Sequence, residues 1–438
     1  MSHEPGKRMD DLIKPKILRG TRDFLPKDMA KRHLVMDRIR SVFVNFGYSA
    51  IETPAMEYAE TFLGKYGDEG SRLTYTFKDK GGREVALRFD QTVPFARFVA
   101  RYHKALPMPF KRYQISPVWR ADRPGKARYR EFYQCDIDII GTKSLLAEGE
   151  IAKVMTVVFE ALGFQEFVIK YNSRRLMNSI LTTLDVPEER QVEVIRILDK
   201  LGRIGRGGVE KELSPHLSVE TTRRLLDIII REGSEAEKIR WLQAYDTKEI
   251  KDFLRICDAF GVPMEKLVFD VSLARGLDYY TGIVFEAFLT EVDIGAVCAG
   301  GRYDGLCSMF SRERFSGVGV AFGFDRIMLA MEERDMFRGI RLNSRVLVTY
   351  FDEATLPNAL RILTDLQTAR INAEIYFEPE KLGKQLKYAD KKEIPFVVIC
   401  GPDELERGEA TIKVMKTGKQ KTIPQSQLTA YLNGYTYD

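Results

Sequence analysis

Residues 111–140 read KRYQISPVWR, ADRPGKAR and YREFYQCDIDII: two aromatic-rich segments of strand composition, at 110–120 and 129–140, flank a polar loop at 121–128. Arg120, Arg123, Arg128 and Arg130 crowd that loop, with Asp122 and Lys126 among them. Taken alone, such a cluster reads as a solvated basic hairpin. Residues two apart share a strand face, so Arg128 and Arg130 are expected on one surface, continued by Gln134, Asp136 and Asp138. A sheet face with arginines at one end and carboxylates at the other is a poor core. It is a good floor for a ligand with a phosphate end and a cationic end.

Outward from this hairpin the chain divides by texture. Val35, Ile39, Val42, Phe43 and Phe46 recur at helical spacing, which predicts an amphipathic helix over 27–46, stopped at Gly47. A strand follows at 48–53, ending at Pro54, and the 74–88 stretch reads as a hairpin about Lys80-Gly81-Gly82. A helix is predicted at 145–162. Residues 171–262 have helical periodicity throughout, interrupted by a loop over Gly202–Gly208, and read as an inserted helical module. Strands return at 266–273 and 281–290, and the glycine-rich Ala299–Asp304 leads to Ser316–Phe324 and a last helix of this part. Beyond residue 343, strands alternate with helices, which predicts a compact α/β domain over 343–438 separate from an α+β body over 1–335.

Composition narrows the function classes. The 438 residues carry 68 Lys and Arg against 63 Asp and Glu, a net charge of +5, with 44% hydrophobic residues. That is ordinary for a globular chain with a core, and permits a nucleic-acid partner without requiring one. No window nears the roughly 18 apolar residues of a membrane span, and no secretory leader is readable at the N-terminus. The five cysteines lie far apart and the four histidines include no metal-ligand pair, so neither a disulfide framework nor a protein-ligated metal is expected. There is no Walker P-loop, and Gly317–Gly323 misses the dinucleotide fingerprint by one residue. Cysteine usage points to a reducing cytoplasm.

A second chemical stretch is ARGLDYYTG at 274–282, where Arg275 offers a fixed fork for phosphate or carboxylate and Tyr279 and Tyr280 offer rings and hydroxyls. Read without the rest, it is a turn into a strand with two packing tyrosines.

Together these stretches resemble a known family. Arg120-x-Asp122, the loop, and Arg128-x-x-x-Phe132 resemble motif 2 of the class II aminoacyl-tRNA synthetases. Gly319–Arg326 resembles motif 3, and the helix and strand over 35–54 resemble motif 1, the dimer element. Within that class, RGTRDFLP, LRFDQT, ARGLDYYTG and AGGRYDGL resemble the histidyl-tRNA synthetases, in the form of archaea and eukaryotes, judging by Asp90-Gln91-Thr92 and YREFYQCD. The resemblance covers about residues 16–438. Asp122 and Asp325 stand where the family usually carries Glu.

The resemblance implies a class II catalytic domain built on an antiparallel sheet, with a helical insertion, followed by an anticodon-binding domain. It implies activation of L-histidine by ATP with Mg²⁺, then transfer to the 3′ end of the histidine tRNA by a homodimer, with no membrane partner. Arg120 and Arg275 would be catalytic. Arg120, Asp122, Arg128, Phe132 and Arg326 would bind ATP. Histidine would meet Asp90, Gln91, Thr92, Arg120, Gln134, Asp138, Arg275, Tyr279 and Tyr280. The glycines at 300, 301 and 305 would admit the ligand close to the backbone. Arg123 and Lys126 would touch the tRNA, and Lys381, Lys384 and Lys387 would share one face of a basic helix. The alternative is a paralogue that senses histidine without charging tRNA, the regulatory subunit of ATP phosphoribosyltransferase. Arg120, Arg275 and Arg326 together, with a C-terminal domain, favour the enzyme. The run from Arg275 to Tyr280 and Asp138 speak against the glycyl, prolyl and threonyl enzymes.

Overall fold

The computed structural model describes residues 13–62, 72–274, 279–339 and 344–435. The chain divides into two compact units: Leu34–Met336 with the segment up to Asp23, and Phe337–Asp438 with Phe24–His33. The grouping of Phe24–His33 with the second unit is invisible in the chain order. Among the described residues, no helix is long and apolar enough to cross a membrane.

The first unit holds strands β1 (Ser49–Ala50), β2 (Met56–Tyr58), β3 (Thr76–Lys78), β4 (Glu84–Leu87), β5 (Phe110–Trp119), β6 (Glu131–Ile140), β7 (Phe167–Ser173), β8 (Leu267–Phe269), β9 (Tyr280–Leu289), β10 (Cys298–Tyr303) and β11 (Gly317–Gly323). Eight form one sheet in the order β1-β5-β6-β11-β10-β9-β7-β8, and β2-β4-β3 form a small second sheet. The central pairings are antiparallel; β1 on β5 and β8 on β7 are parallel, so the sheet is mixed at its two edges.

Alternation gives this sheet two unlike faces. On one, Ile137, Ile139, Val318, Val320 and Phe322 are buried against the helix Leu146–Leu162, whose Phe159 ring lies 5.9 Å from Phe322. Burying side chains of this size contributes about 1.5–3 kcal/mol each. Arg302 of β10 enters the same layer, 2% exposed, and is neutralised by Glu148 of that helix at 2.6 Å. The opposite face is polar. Arg112, Gln114 and Ser116 on β5 stand opposite Asp138, Asp136 and Gln134 on β6, which face Gly319, Ala321 and Gly323 on β11. The row of small residues leaves the space above the sheet open.

Several expectations change. The insertion is helical from Arg174 to Ala259, because β7 continues to Ser173 as a full strand of the sheet. The Gly202–Gly208 loop is instead part of one helical stretch, Leu201–Leu213, broken at Gly205 by a positive φ of 67°. A helix over Thr92–Tyr102 was not anticipated; it starts just after Asp90, whose carboxylate accepts the Val93 N–H. The expected strands at 48–53 and 266–273 shrink to β1 and β8. The glycine-rich Ala299–Asp304 stretch lies, through Tyr303, on β10 in mid-sheet. Its glycines admit neighbouring strands closely: a Cβ on Gly300, which also lines a cavity, would lie 2.0 Å from the Gly319 carbonyl oxygen, and one on Gly301 2.7 Å from that of Ile283. A Cβ on Gly305 would meet nothing within 4 Å.

The second unit holds β12 (Val346–Val348), β13 (Ala373–Ile375), β14 (Phe396–Ile399), β15 (Glu409–Val414) and β16 (Gln420–Pro424), in the order β13-β12-β14-β15-β16. Alternating apolar residues, among them Val346, Val348, Phe396 and Val398, pack beneath the helix Leu356–Thr368. The strand β16 and the helix Pro402–Arg407 add to the predicted elements. The basic helix runs Leu382–Lys391, but Lys384 pairs with Glu380 and Lys392 with Glu374 at 2.6 Å, which offsets part of its charge.

Candidate active site

Two adjoining cavities open on the polar face of the large sheet. The smaller, of about 80 Å³, is lined by Asp90, Thr92, Gln134, Asp138, Tyr279 and Tyr280, among others. The larger, of about 290 Å³, is lined by Asp122, Arg128, Phe132, Glu286, Cys298 and Arg326, among others. Arg120 and Gln134 border both. Arg275 lies outside the described residues.

Acids dominate the small cavity. Asp138 is 3% exposed; its Oδ1 accepts the Tyr303 hydroxyl at 2.6 Å, and its Oδ2 lies 2.5 Å from Arg112 Nη2. The side chain crosses the β11 backbone where Gly319 leaves room: a Cβ there would sit 2.0 Å from Asp138 Oδ1. Burial pushes Asp90 and Asp138 up to about 6, against the opposing pull of the Val93 N–H on Asp90 and of Arg112 on Asp138. Burial also raises Asp136 well above the usual carboxylate range. A carboxyl raised above its unfolded value of roughly 3.9 stabilises the fold in its protonated form. Its contribution is complete below that value and is lost as pH rises through about 6 for Asp90 and Asp138. Aromatic rings close the far wall, with Tyr279 and Tyr280 at 4.7 Å between centroids and Tyr303 edge-on to Tyr279.

The large cavity is bounded by arginines fixed from behind. Arg120 Nε donates to the Phe89 carbonyl at 3.0 Å, and its guanidinium lies 5.1 Å from the centre of the Phe132 ring. Arg326 Nη1 donates to the Ala296 carbonyl at 2.6 Å. The 121–128 loop is a hairpin whose tip turns at Lys126-Ala127, with paired backbone bonds between Gly125 and Arg128 and a positive φ at Ala127. Arg128 therefore sits in the turn and not on β6. Arg130 does not share its face: its Nε donates to the Asp122 carbonyl, and its backbone N–H to the Gly20 carbonyl at 2.8 Å. Asp325 accepts Arg22 at 2.6 Å and the Tyr133 N–H at 2.9 Å, so the shorter acid is fully engaged. Arg22 also lies 3.3 Å from the centre of the Tyr129 ring, which ties the N-terminal segment to the hairpin. Gln91 does not line either cavity; its amide donates to the Ser116 and Gln134 carbonyls and holds β5 to β6. Arg123 and Lys126 are exposed at the loop, Lys126 in an ion pair with Glu333 at 3.0 Å.

Arg112 and Tyr303 were not anticipated, and Asp136 was placed on the ligand face without a role. The signal for Arg112 was available in β5, where Arg112, Gln114 and Ser116 alternate with Tyr113, Ile115 and Pro117. The polar members are the buried ones, the reverse of an ordinary surface strand.

Among the described residues Arg112 Nε and Nη1 have no hydrogen-bond partners, and the side chain is 0% exposed, so its charge depends on Asp138. Asp138→Ala is expected to destabilise the first unit by about 3–5 kcal/mol, because it strands a buried cation. Replacing both members, Arg112→Met with Asp138→Leu, costs less. Denaturant unfolding checks this, and an unchanged midpoint for the single variant overturns it.

Comparison with known proteins places the chain. The family model described as histidyl-tRNA synthetase matches residues 20–327, and that of the anticodon binding domain matches 345–434. The histidine–tRNA ligase of Christiangramia forsetii is 38% identical over 96% of this chain and 99% of its own length. That of Cytophaga hutchinsonii is 40% identical over 93% and 97%. The crystal structure of histidyl-tRNA synthetase from Nostoc sp. PCC 7120 superposes with a TM-score of 0.83 at 30% identity, covering 96% of this chain and 99% of that one. These relatives are bacterial and lend no support to the archaeal and eukaryotic form suggested by Asp90-Gln91-Thr92. The polar sheet face, the hairpin and the full-length likeness agree: the chain belongs to the histidyl-tRNA synthetase family, with its class II fold.

Proposed function

We propose that the small cavity binds L-histidine and the large one ATP, and that the chain acts as a histidine–tRNA ligase. The observation that carries this is Arg120, which borders both cavities where a carboxylate from one meets a phosphate from the other. In the first step the histidine carboxylate attacks the α-phosphorus, the bond to pyrophosphate breaks, and histidyl-adenylate forms. Negative charge builds on the phosphoryl oxygens, so fixed cations and alignment supply the catalysis. Arg120 takes the α-phosphate, and Arg128 and Arg326 the outer phosphates, with Phe132 against the adenine. Arg275 joins them as a second catalytic cation on the strength of the resemblance alone. Asp90, Thr92 and Gln134 receive the α-ammonium group, while Asp138 and Tyr280 read the imidazole and Tyr279 walls it. A site built on polar ring contacts rejects isosteres that leave its own groups unpaired.

Mg²⁺ fits as a companion of ATP. Among the described residues, no three acidic, His or Cys side chains gather to hold a metal by themselves. Asp122 and Glu286 bring carboxylates to the wall of the large cavity, the donor type Mg²⁺ takes beside substrate phosphates. Bound there, the ion neutralises phosphate charge.

In the second step the 3′ end of the histidine tRNA takes the acyl group from the adenylate. Arg123 and Lys126 meet the acceptor end, and residues 343–438 act as the anticodon-binding domain, after a catalytic domain over 1–335. The protein works in the cytoplasm as a homodimer. Support for the dimer comes from Met56, Tyr58 and Tyr102, which are 57%, 54% and 42% exposed around one groove next to the motif 1 segment.

ATP–pyrophosphate exchange with each of the twenty amino acids, without tRNA, tests the first step, and histidine alone is expected to support it. Exchange with a different amino acid overturns the pocket assignment. No exchange from folded protein that binds histidine establishes the non-charging paralogue instead. Arg123→Ala with Lys126→Ala should spare exchange and raise KM for tRNA several-fold; an unchanged KM removes the loop from the tRNA interface. Tyr58→Glu should shift the protein to monomer in sedimentation velocity, and an unaltered dimer places the interface elsewhere.

A further inference from the structure

Asp136 makes no ion pair among the described residues, although it is 2% exposed. It stands between Gln134 and Asp138 on β6 and lines the small cavity with them. Among the described residues its Oδ1 is buried with no hydrogen-bond partner, and so is Oε1 of Gln134. Acceptors buried in this way cost free energy until a donor arrives, and two of them on adjacent positions of one face ask for a donor with several N–H groups. The charge balance gives the same answer. Asp138 is offset by Arg112, at 2.5 Å, and its other oxygen takes the Tyr303 hydroxyl. Arg120 also borders the second cavity. Among the described residues, Asp90 and Asp136 then remain as carboxylates of the small cavity without a contacting cation of their own.

We propose that Asp136 is a further acceptor for the α-ammonium group of histidine, beside Asp90, Thr92 and Gln134; this rests on reading the small cavity as the histidine pocket. An ammonium group carries three N–H donors and one positive charge, and suits this set. A neutral imidazole carries one N–H, which Asp138 at the far end of the row receives. The arriving cation also opposes the upward shift that burial imposes on the Asp136 carboxyl.

The test uses three ligands that differ in one group each: histidine; histamine, which lacks the carboxylate; and 3-(imidazol-4-yl)propionate, which lacks the ammonium. Their dissociation constants are measured on the wild-type protein and on Asp136→Asn, which keeps the shape and removes the charge. Asp136→Ser serves as a second, smaller replacement. Melting curves and ATP binding verify that each variant is folded. Loss of a hydrogen bond to a charged group is worth about 10- to 100-fold in affinity. Histidine and histamine are expected to weaken by that factor in both variants, while imidazolepropionate and ATP stay within about twofold of wild type. Equal weakening of all three ligands, or no change in any, overturns the assignment of Asp136 to the ammonium group. Failure of the wild-type protein to bind histidine is a separate result, which removes the pocket assignment itself.

Discussion

The ion pair between Arg112 and Asp138 is the constraint on which the site rests. Both side chains are buried in the middle of a sheet, where neither charge is tolerated alone. Their 2.5 Å contact holds Asp138 over β11, and that path exists only because Gly319 has no side chain. Tyr303 then reaches the remaining carboxylate oxygen from β10. One pair of opposite charges thus fixes the order in which four strands present their side chains to the cavity.

From this follows an unusual division of labour between the two faces of the sheet. The apolar face carries the stability, packed against the helix Leu146–Leu162 and stapled by Arg302 to Glu148. The polar face carries desolvated acids, pushed up by burial, which a cationic ligand relieves. Small residues on β10 and β11 keep that face uncovered, so the cost of exposing polar atoms inside the unit becomes binding capacity. The neighbouring cleft has the opposite character. Its arginines are held by backbone carbonyls, with no carboxylate partner for Arg120 at those contacts, which leaves its positive charge available to phosphate.

The hairpin between β5 and β6 is held from outside its own sequence. Gly20, at a φ of 90°, passes so close to Arg130 that a Cβ would lie 2.8 Å from its side chain. Arg22 bridges Tyr129 and Asp325. The substitution of Asp for the usual Glu at 325 therefore leaves no unmet partner: the shorter carboxylate reaches both Arg22 and the Tyr133 N–H.

Much of this was legible in the chain itself. The alternation in YREFYQCDIDII identified the strand and the shared face of Gln134, Asp136 and Asp138, because a period of two is a local property. The helix ending before Gly47 and the separate α/β texture after residue 343 were legible for the same reason. Three things were not. Arg112 gained its role from a partner 26 positions away in the chain, across a strand pairing that no local pattern specifies. The glycines at 300 and 301 looked like room for a ligand; Gly300 does line the small cavity, but both also let the backbone of adjacent strands come close, which the chain order does not show. The face shared by Arg128 and Arg130 dissolved because the hairpin turns at Ala127 before β6 begins. Periodicity, turn residues and charge inventory were determined by the sequence alone. Which carboxylates are paired, which are left waiting for a donor, and which arginines face the cleft were decided only when distant strands came into register.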